Sequence, residues 1–73
     1  MIEVRLFATF RDGREKVTFL NPEEFKSAGD IIDHLKIPRQ EVSILLINGR
    51  YSAADAPVND GDVLALFPPV GGG

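Results

Sequence analysis

The chain contains no cysteine and no tryptophan, one methionine and one histidine. Without cysteine there is no disulfide framework, no thiolate metal site and no thiol-based redox or acyl-carrier chemistry. The single His34 has Ile37 and Pro38 where a helical metal partner would stand, so it reads as a solvated or edge-packed side chain and no metal site is expected. Ser27, Ser43 and Ser52 lack a Gly-x-Ser-x-Gly setting, and no glycine-rich loop follows a strand to open a helix. The chain is therefore not expected to be an enzyme by itself, nor to bind a nucleotide or other cofactor.

Positive charge is also scarce. A net charge of −3 and a pI near 4.9 leave no electrostatic footprint for nucleic acid. An acidic protein is instead steered toward partners that present Lys and Arg. No apolar run approaches the ~20 residues a membrane helix needs, and no signal-like segment opens the chain, which points to a cytoplasmic protein without membrane contact. At 73 residues it is one small domain, with modest stability unless its core packs well.

What is present is organised. Ile2, Val4, Leu6, Ala8 and Phe10 alternate with Glu3, Arg5 and Thr9, the period of a half-buried strand running from Met1 to Phe10. Asp12-Gly13 is a tight-hairpin signal, and Lys16 to Leu20 should return as the second strand. Ser27 with Asp30 three residues later resembles a capping pair, opening a helix over Ala28 to Lys36 that gathers Ala28, Ile31, Ile32 and Leu35 on one side. Pro38 should end it. Val42 to Ile47 reads as a third strand turning at Asn48-Gly49 into a short segment at Arg50-Tyr51. Ser52 to Asn59 reads as loop, and Asp60-Gly61-Asp62 as a turn into a last strand, Val63 to Phe67. This order, with one helix to cover one face of a small mixed sheet, is that of an α+β, β-grasp (ubiquitin-like) fold whose first and last strands are central and parallel. The domain is expected over residues 1–67, with 68–73 as a projecting tail.

The tail reads Pro68-Pro69-Val70-Gly71-Gly72-Gly73. The prolines remove two backbone donors and stop the sheet ladder, and the glycines, lacking Cβ atoms, suit passage through a narrow channel. Fully extended, 68–73 spans at most about 20 Å, enough to carry the Gly73 carboxylate into a partner's active site. A carboxylate is a poor acyl donor, so chemistry there needs activation by a partner, most simply as an acyl-adenylate formed from ATP.

Asp60-Gly61-Asp62 followed by Phe67-Pro68-Pro69-Val70-Gly71-Gly72-Gly73, with Asn48-Gly49 upstream, resembles the ending of MoaD/ThiS family sulfur carriers. The resemblance covers essentially the whole chain, but only its last part is strongly diagnostic. It implies that Gly73 is adenylated by a ubiquitin-activating-type enzyme, converted to a thiocarboxylate by a sulfur donor protein, and used with a sulfur-accepting synthase subunit in cofactor biosynthesis. ATP would be consumed by the activating partner. Gly71 departs from the Ser or Ala common in MoaD-like endings, and molybdopterin and thiamin both stay open as the pathway. The same activated Gly73 could alternatively be passed to a lysine of a target protein, making the chain a modifier.

Phe7 breaks the polar face of the first strand, and Ile44 to Ile47 and Val63 to Phe67 are apolar on both faces. Phe7 with either Leu45 and Ile47 or Ile44 and Leu46, plus part of the last strand, would form an apolar docking patch or else a second minor core under a loop. Phe7, Phe67, Pro68, Pro69 and Val70 are the candidate partner-binding residues, and Gly71 and Gly72 the tail that permits entry. Asp55, Asp60 and Asp62 lack the spacing of a calcium loop and read as turn residues.

Overall fold

The computed structural model describes residues 1–69; the expectations placed on Val70, Gly71, Gly72 and Gly73 lie outside the described residues. Strand β1 (Ile2–Leu6) buries Ile2, Val4 and Leu6 and turns Glu3 and Arg5 to the opposite side, as its alternation requires. It stops at Leu6 rather than Phe10. Ala8 takes φ 53°, a region L-residues avoid, and Ala8–Arg11 wind into a 3₁₀ turn that returns Phe10 to the core. The apolar period thus continues past the strand because a turn, not a strand, buries Phe10. Strand β2 (Val17–Leu20) pairs antiparallel with β1, Ile2 opposite Leu20 and Arg5 opposite Val17, across a longer connection than a tight hairpin at Asp12-Gly13.

Helix α1 (Ala28–His34) opens with a full capping box. The Asp30 N–H donates to Ser27 Oγ at 3.2 Å and the Ser27 N–H to Asp30 Oδ2 at 3.3 Å. Two further donors of the first turn, on Ala28 and Gly29, are satisfied by the carbonyls of Ala56 and Ala54 at 3.0 and 2.7 Å. The Ser52 to Asn59 stretch is therefore tied to the start of α1, and Val58 within it is buried. The helix closes at His34, short of Lys36 and before Pro38 acts. The Lys36 N–H reaches the Asp33 carbonyl at 3.0 Å and the Ile37 N–H the Ile32 carbonyl at 3.2 Å, with Lys36 at φ 60°. This is a Schellman closure with lysine at the left-handed position that glycine normally fills.

A 3₁₀ turn over Arg39–Glu41 delays strand β3 to Ile44–Ile47, two residues later than the apolar run suggests. Asn48 and Gly49, both at positive φ, make the two-residue turn into β4 (Arg50–Tyr51). Strand β5 (Val63–Phe67) completes a sheet of order β2-β1-β5-β3-β4, with β1 and β5 central and parallel. The architecture is the expected α+β, β-grasp fold. Ile31 and Ile32 of α1 pack with Val4 and Leu6, Leu64 and Leu66, and Leu45, all on one face of the sheet. Among the described residues no helix is long and apolar enough to cross a membrane.

Two predictions follow from these closures. Lys36→Gly should raise stability by about 1 kcal/mol in denaturant unfolding, because glycine occupies the left-handed position without a Cβ penalty. The second concerns acid. Asp33 accepts two hydrogen bonds from the Arg39 guanidinium, at 3.0 and 2.9 Å, which hold its carboxyl below the ordinary value; the N-terminal ammonium does the same for Asp60. A carboxyl with a depressed folded pKa stabilises above its unfolded pKa of about 4 and loses that contribution as pH falls through the folded value. The melting temperature should therefore drop below about pH 4, less steeply in Asp33→Asn than in the wild type.

Candidate functional site: the open sheet face and the root of the tail

One helix covers one face of the sheet, and strand register decides what the other face presents. Val17, Arg5, Ala65, Leu46 and Tyr51 lie opposite one another in a single row that crosses all five strands. On either side of that row Phe67 stands opposite Ile44, and Val63 and Phe19 flank Glu3. Leu45, by contrast, is buried under α1, and Ile47 packs against the core. Of the two sets that β3 offered, Ile44 and Leu46 are therefore the outward one.

Phe7 extends this surface past the end of β1. Its N–H donates to the Leu66 carbonyl at 3.2 Å, and its ring stacks on Phe67 with centroids 4.3 Å apart and an interplanar angle of 9°. The Arg11 guanidinium lies 5.2 Å from the Phe7 centroid and its Nε donates to the Leu6 carbonyl at 2.7 Å. The stack closes the seam where the two central strands end, and Pro68 and Pro69 follow directly. Phe7, Phe67, Pro68 and Pro69 are thus brought to one end of the molecule, with Pro68 half-buried and Pro69 exposed.

The residues that sequence reasoning missed here are Val17, Phe19 and Tyr51. Phe19 is 59% exposed and Tyr51 82% exposed, so the apolar face widens across both edge strands. The alternation of Val17 and Phe19 with Thr18 and Leu20 carried the signal for β2. Glu3 and Arg5 pair with each other on this face rather than with the rest of the surface. The Ser52 to Asn59 segment is bound to the start of α1 and so offers no lid for the face.

The opposite end of β5 is set by polar contacts. Asn48 Nδ2 donates to Asp62 Oδ1 at 2.9 Å, and Asn48 Oδ1 accepts from the Val63 N–H at 3.0 Å. Asp62 Oδ2 also accepts from the Asn59 N–H at 2.8 Å, while Asp60 meets the N-terminal ammonium. These are turn-fixing roles. They lock the start of β5 against the β3–β4 turn, and so set the register with which Phe67 arrives at the far end. His34 packs edge-on against Phe25, centroids 5.1 Å apart. Among the described residues no group of His, Asp or Glu side chains is placed to hold a metal ion. What the described residues offer here is apolar area leading to Pro68 and Pro69.

Comparison with known proteins gives these features a context. The model of the ThiS family matches residues 4–73. Small archaeal modifier protein 1 from Haloferax volcanii is 27% identical, with 94% of this chain and 97% of that one covered and a TM-score of 0.74. The HVO 2177 protein of the same organism is 32% identical, over 99% of this chain and 85% of that one, with a TM-score of 0.74. A chain from the complex of subunits 1 and 2 of molybdopterin-converting factor from Helicobacter pylori is 26% identical, over 99% and 97%, with a TM-score of 0.65. A search of curated proteins returns no match.

The aromatic stack gives a direct test. In a double-mutant cycle on Phe7→Ala and Phe67→Ala, denaturant unfolding should give a coupling energy of about 1 kcal/mol, the value of an aromatic pair beyond its area.

Proposed function

Because the chain belongs to the ThiS family, we propose that it carries sulfur on the C-terminal carbonyl of Gly73 for cofactor biosynthesis in the cytoplasm. It is a ubiquitin-like protein of the sulfur-carrier or modifier kind, and carriers of this kind are small subunits handled by enzymes rather than catalysts. The observation that carries the finer reading is that the family match runs through Gly73, on a strand that delivers Pro68 and Pro69 beside an uncovered apolar face.

In this reading a ubiquitin-activating-type enzyme binds ATP, and an oxygen of the Gly73 carboxylate displaces pyrophosphate to form the acyl-adenylate. Hydrosulfide supplied by a sulfur donor protein then attacks the activated carbonyl, the bond from that carbonyl to AMP breaks, and AMP and a thiocarboxylate are the products. The thiocarboxylate ionises readily and presents a soft sulfur nucleophile, by the thiolate logic that governs cysteine. Gly71 and Gly72 permit entry into the partner, and Phe67, Pro68, Pro69 and Val70 position the tail. Phe7 and the sheet face supply contact area. Molybdopterin is the first candidate for the receiving pathway, since a complex of subunits 1 and 2 of molybdopterin-converting factor is among the similar structures, and a synthase subunit is the corresponding partner. Thiamin is the second.

A modifier role is the competing reading, and similarity to small archaeal modifier protein 1 favours it. There the activated Gly73 carbonyl is passed to a lysine amine, an isopeptide bond forms and AMP leaves. The two diverge only after activation.

Intact-mass spectrometry separates them. After incubation with an adenylating enzyme, ATP and a sulfur donor, the carrier should gain the mass of one oxygen replaced by sulfur, localised to Gly73. Chain-to-target conjugates in place of that change would establish the modifier. Deleting Gly73 should abolish either product and leave the melting temperature unchanged, since among the described residues the last one buried in the core is Leu66.

A further inference from the structure

The turn that follows β1 divides two aromatic side chains between the two faces of the sheet. Phe7 has extended backbone, φ −126° and ψ 155°, and lays its ring on Phe67 at the open face. Phe10, three residues later, is buried in the core under α1. The reversal between them is made at Ala8, whose φ of 53° L-residues avoid, and is closed by the Phe10 N–H donating to the Phe7 carbonyl at 3.1 Å. Ala8 is exposed, so its strain is offset by where it sends its neighbours rather than by contacts of its own. The outcome is a clamp on the root of the tail. Phe67 lies against Phe7 on one face, and on the other Pro68 and Pro69 share a cleft of about 280 Å³ with Phe10, Ile37 and Pro38. The Phe67 carbonyl also accepts from the Ser43 N–H at 2.8 Å, which ties the last strand residue to β3 before the prolines begin.

Few torsions remain free at this root. Each proline fixes its own φ, and a residue before proline is confined to extended conformations, so the direction of Pro68-Pro69 depends chiefly on how Phe67 is seated. Two extended residues span about 7 Å, so a tilt of about 20° at Phe67 displaces the end of Pro69 by about 2 Å. A misplacement of about 1 Å at a reacting group costs on the order of 100-fold in rate. Arg11 holds the outer half of the clamp. Its Nε donates to the Leu6 carbonyl at 2.7 Å, and its guanidinium carbon lies 5.2 Å from the Phe7 centroid. Among the described residues it makes no ion pair. What it contributes is a planar cation on an aromatic ring and an Nε–H on a carbonyl; lysine would keep the charge but has neither the plane nor the Nε–H.

We propose that Arg11 is a positioning residue for activation of the tail: by holding Phe7 on Phe67 it fixes the direction in which Pro68-Pro69 hands the chain to the activating enzyme. The inference rests on the reading above that Gly73 is activated, a step the carrier and modifier roles share, and adds the residue that aims it. Arg11 acts through Phe7 and touches neither substrate nor reacting atoms.

The test is steady-state adenylation of the full chain by an enzyme that adenylates the wild type, well below each variant's melting midpoint. NMR of the Phe67 ring protons, which the stacked Phe7 ring shifts upfield, is read alongside it. Arg11→Lys and Arg11→Gln should each lower kcat about tenfold and leave KM within about twofold of wild type, because the docking face is intact while the tail is misdirected. Both should reduce the upfield shift. Phe7→Leu should lower kcat as well, and adding Arg11→Lys to it should lower kcat no further, since the two residues act in series. A docking contact made by Arg11 would instead raise KM, and a role for its charge alone would be rescued by lysine. Either result overturns the proposal, as does a multiplicative loss in the double variant or a wild-type ring shift in Arg11→Lys. Failure of every candidate enzyme to adenylate the wild type would remove activation of Gly73 itself, whereas wild-type adenylation with unchanged kcat in Arg11→Lys removes only this role.

Discussion

A single seven-residue helix has to cover a five-stranded sheet, and most other features follow from that mismatch. The helix shields the inner residues of the central strands, so β1 and β5, which carry the densest apolar pattern, pair in parallel beneath it. Among the described residues nothing of comparable size is left for the other face. Because side chains alternate strictly along a strand, every residue between the buried ones is committed to that open surface. The apolar character of Val63, Ala65 and Phe67, of Ile44 and Leu46, and of Val17 and Phe19 on the edge strand is therefore expressed outward by the same register that builds the core.

Such a surface is costly for a small protein to leave bare unless something binds it. Its position is informative in the same way. The parallel pair points β1 and β5 in one direction, so the ends of both strands, the Phe7–Phe67 stack and the root of the tail converge at one pole. The Asn48–Asp62 contacts pin the other end of β5 and keep that delivery in register. Apolar face, stacked aromatics and the Pro68-Pro69 segment form one continuous surface. The core behind it accounts for stability, and the chain has the build of a ubiquitin-like carrier or modifier of the ThiS family.

Local closures account for the remaining order in a chain without disulfides. The capping box of Ser27 and Asp30 starts α1, the carbonyls of Ala54 and Ala56 finish satisfying its first turn, and the Schellman bonds at Lys36 and Ile37 end it. Arg14 then ties the β1–β2 connection to the end of the helix through backbone carbonyls.

The one-dimensional sequence carried everything that depends on period or on a short turn. The alternation of Ile2, Val4 and Leu6, the Ser27 cap, the Asn48-Gly49 turn and the Pro-Pro stop after Phe67 each have a local physical cause, and together they were enough for the β-grasp order and for the family likeness. Element ends were less legible, because a 3₁₀ turn at Ala8–Arg11 buries Phe10 as well as a strand would, and a Schellman closure acts before Pro38 can. Only the tertiary structure decided which apolar set of β3 faces outward, that Phe7 stacks on Phe67, and that Tyr51 and Phe19 join the face. Each of those depends on register between strands distant in sequence or on where a helix ends, and neither is encoded in any short window of residues.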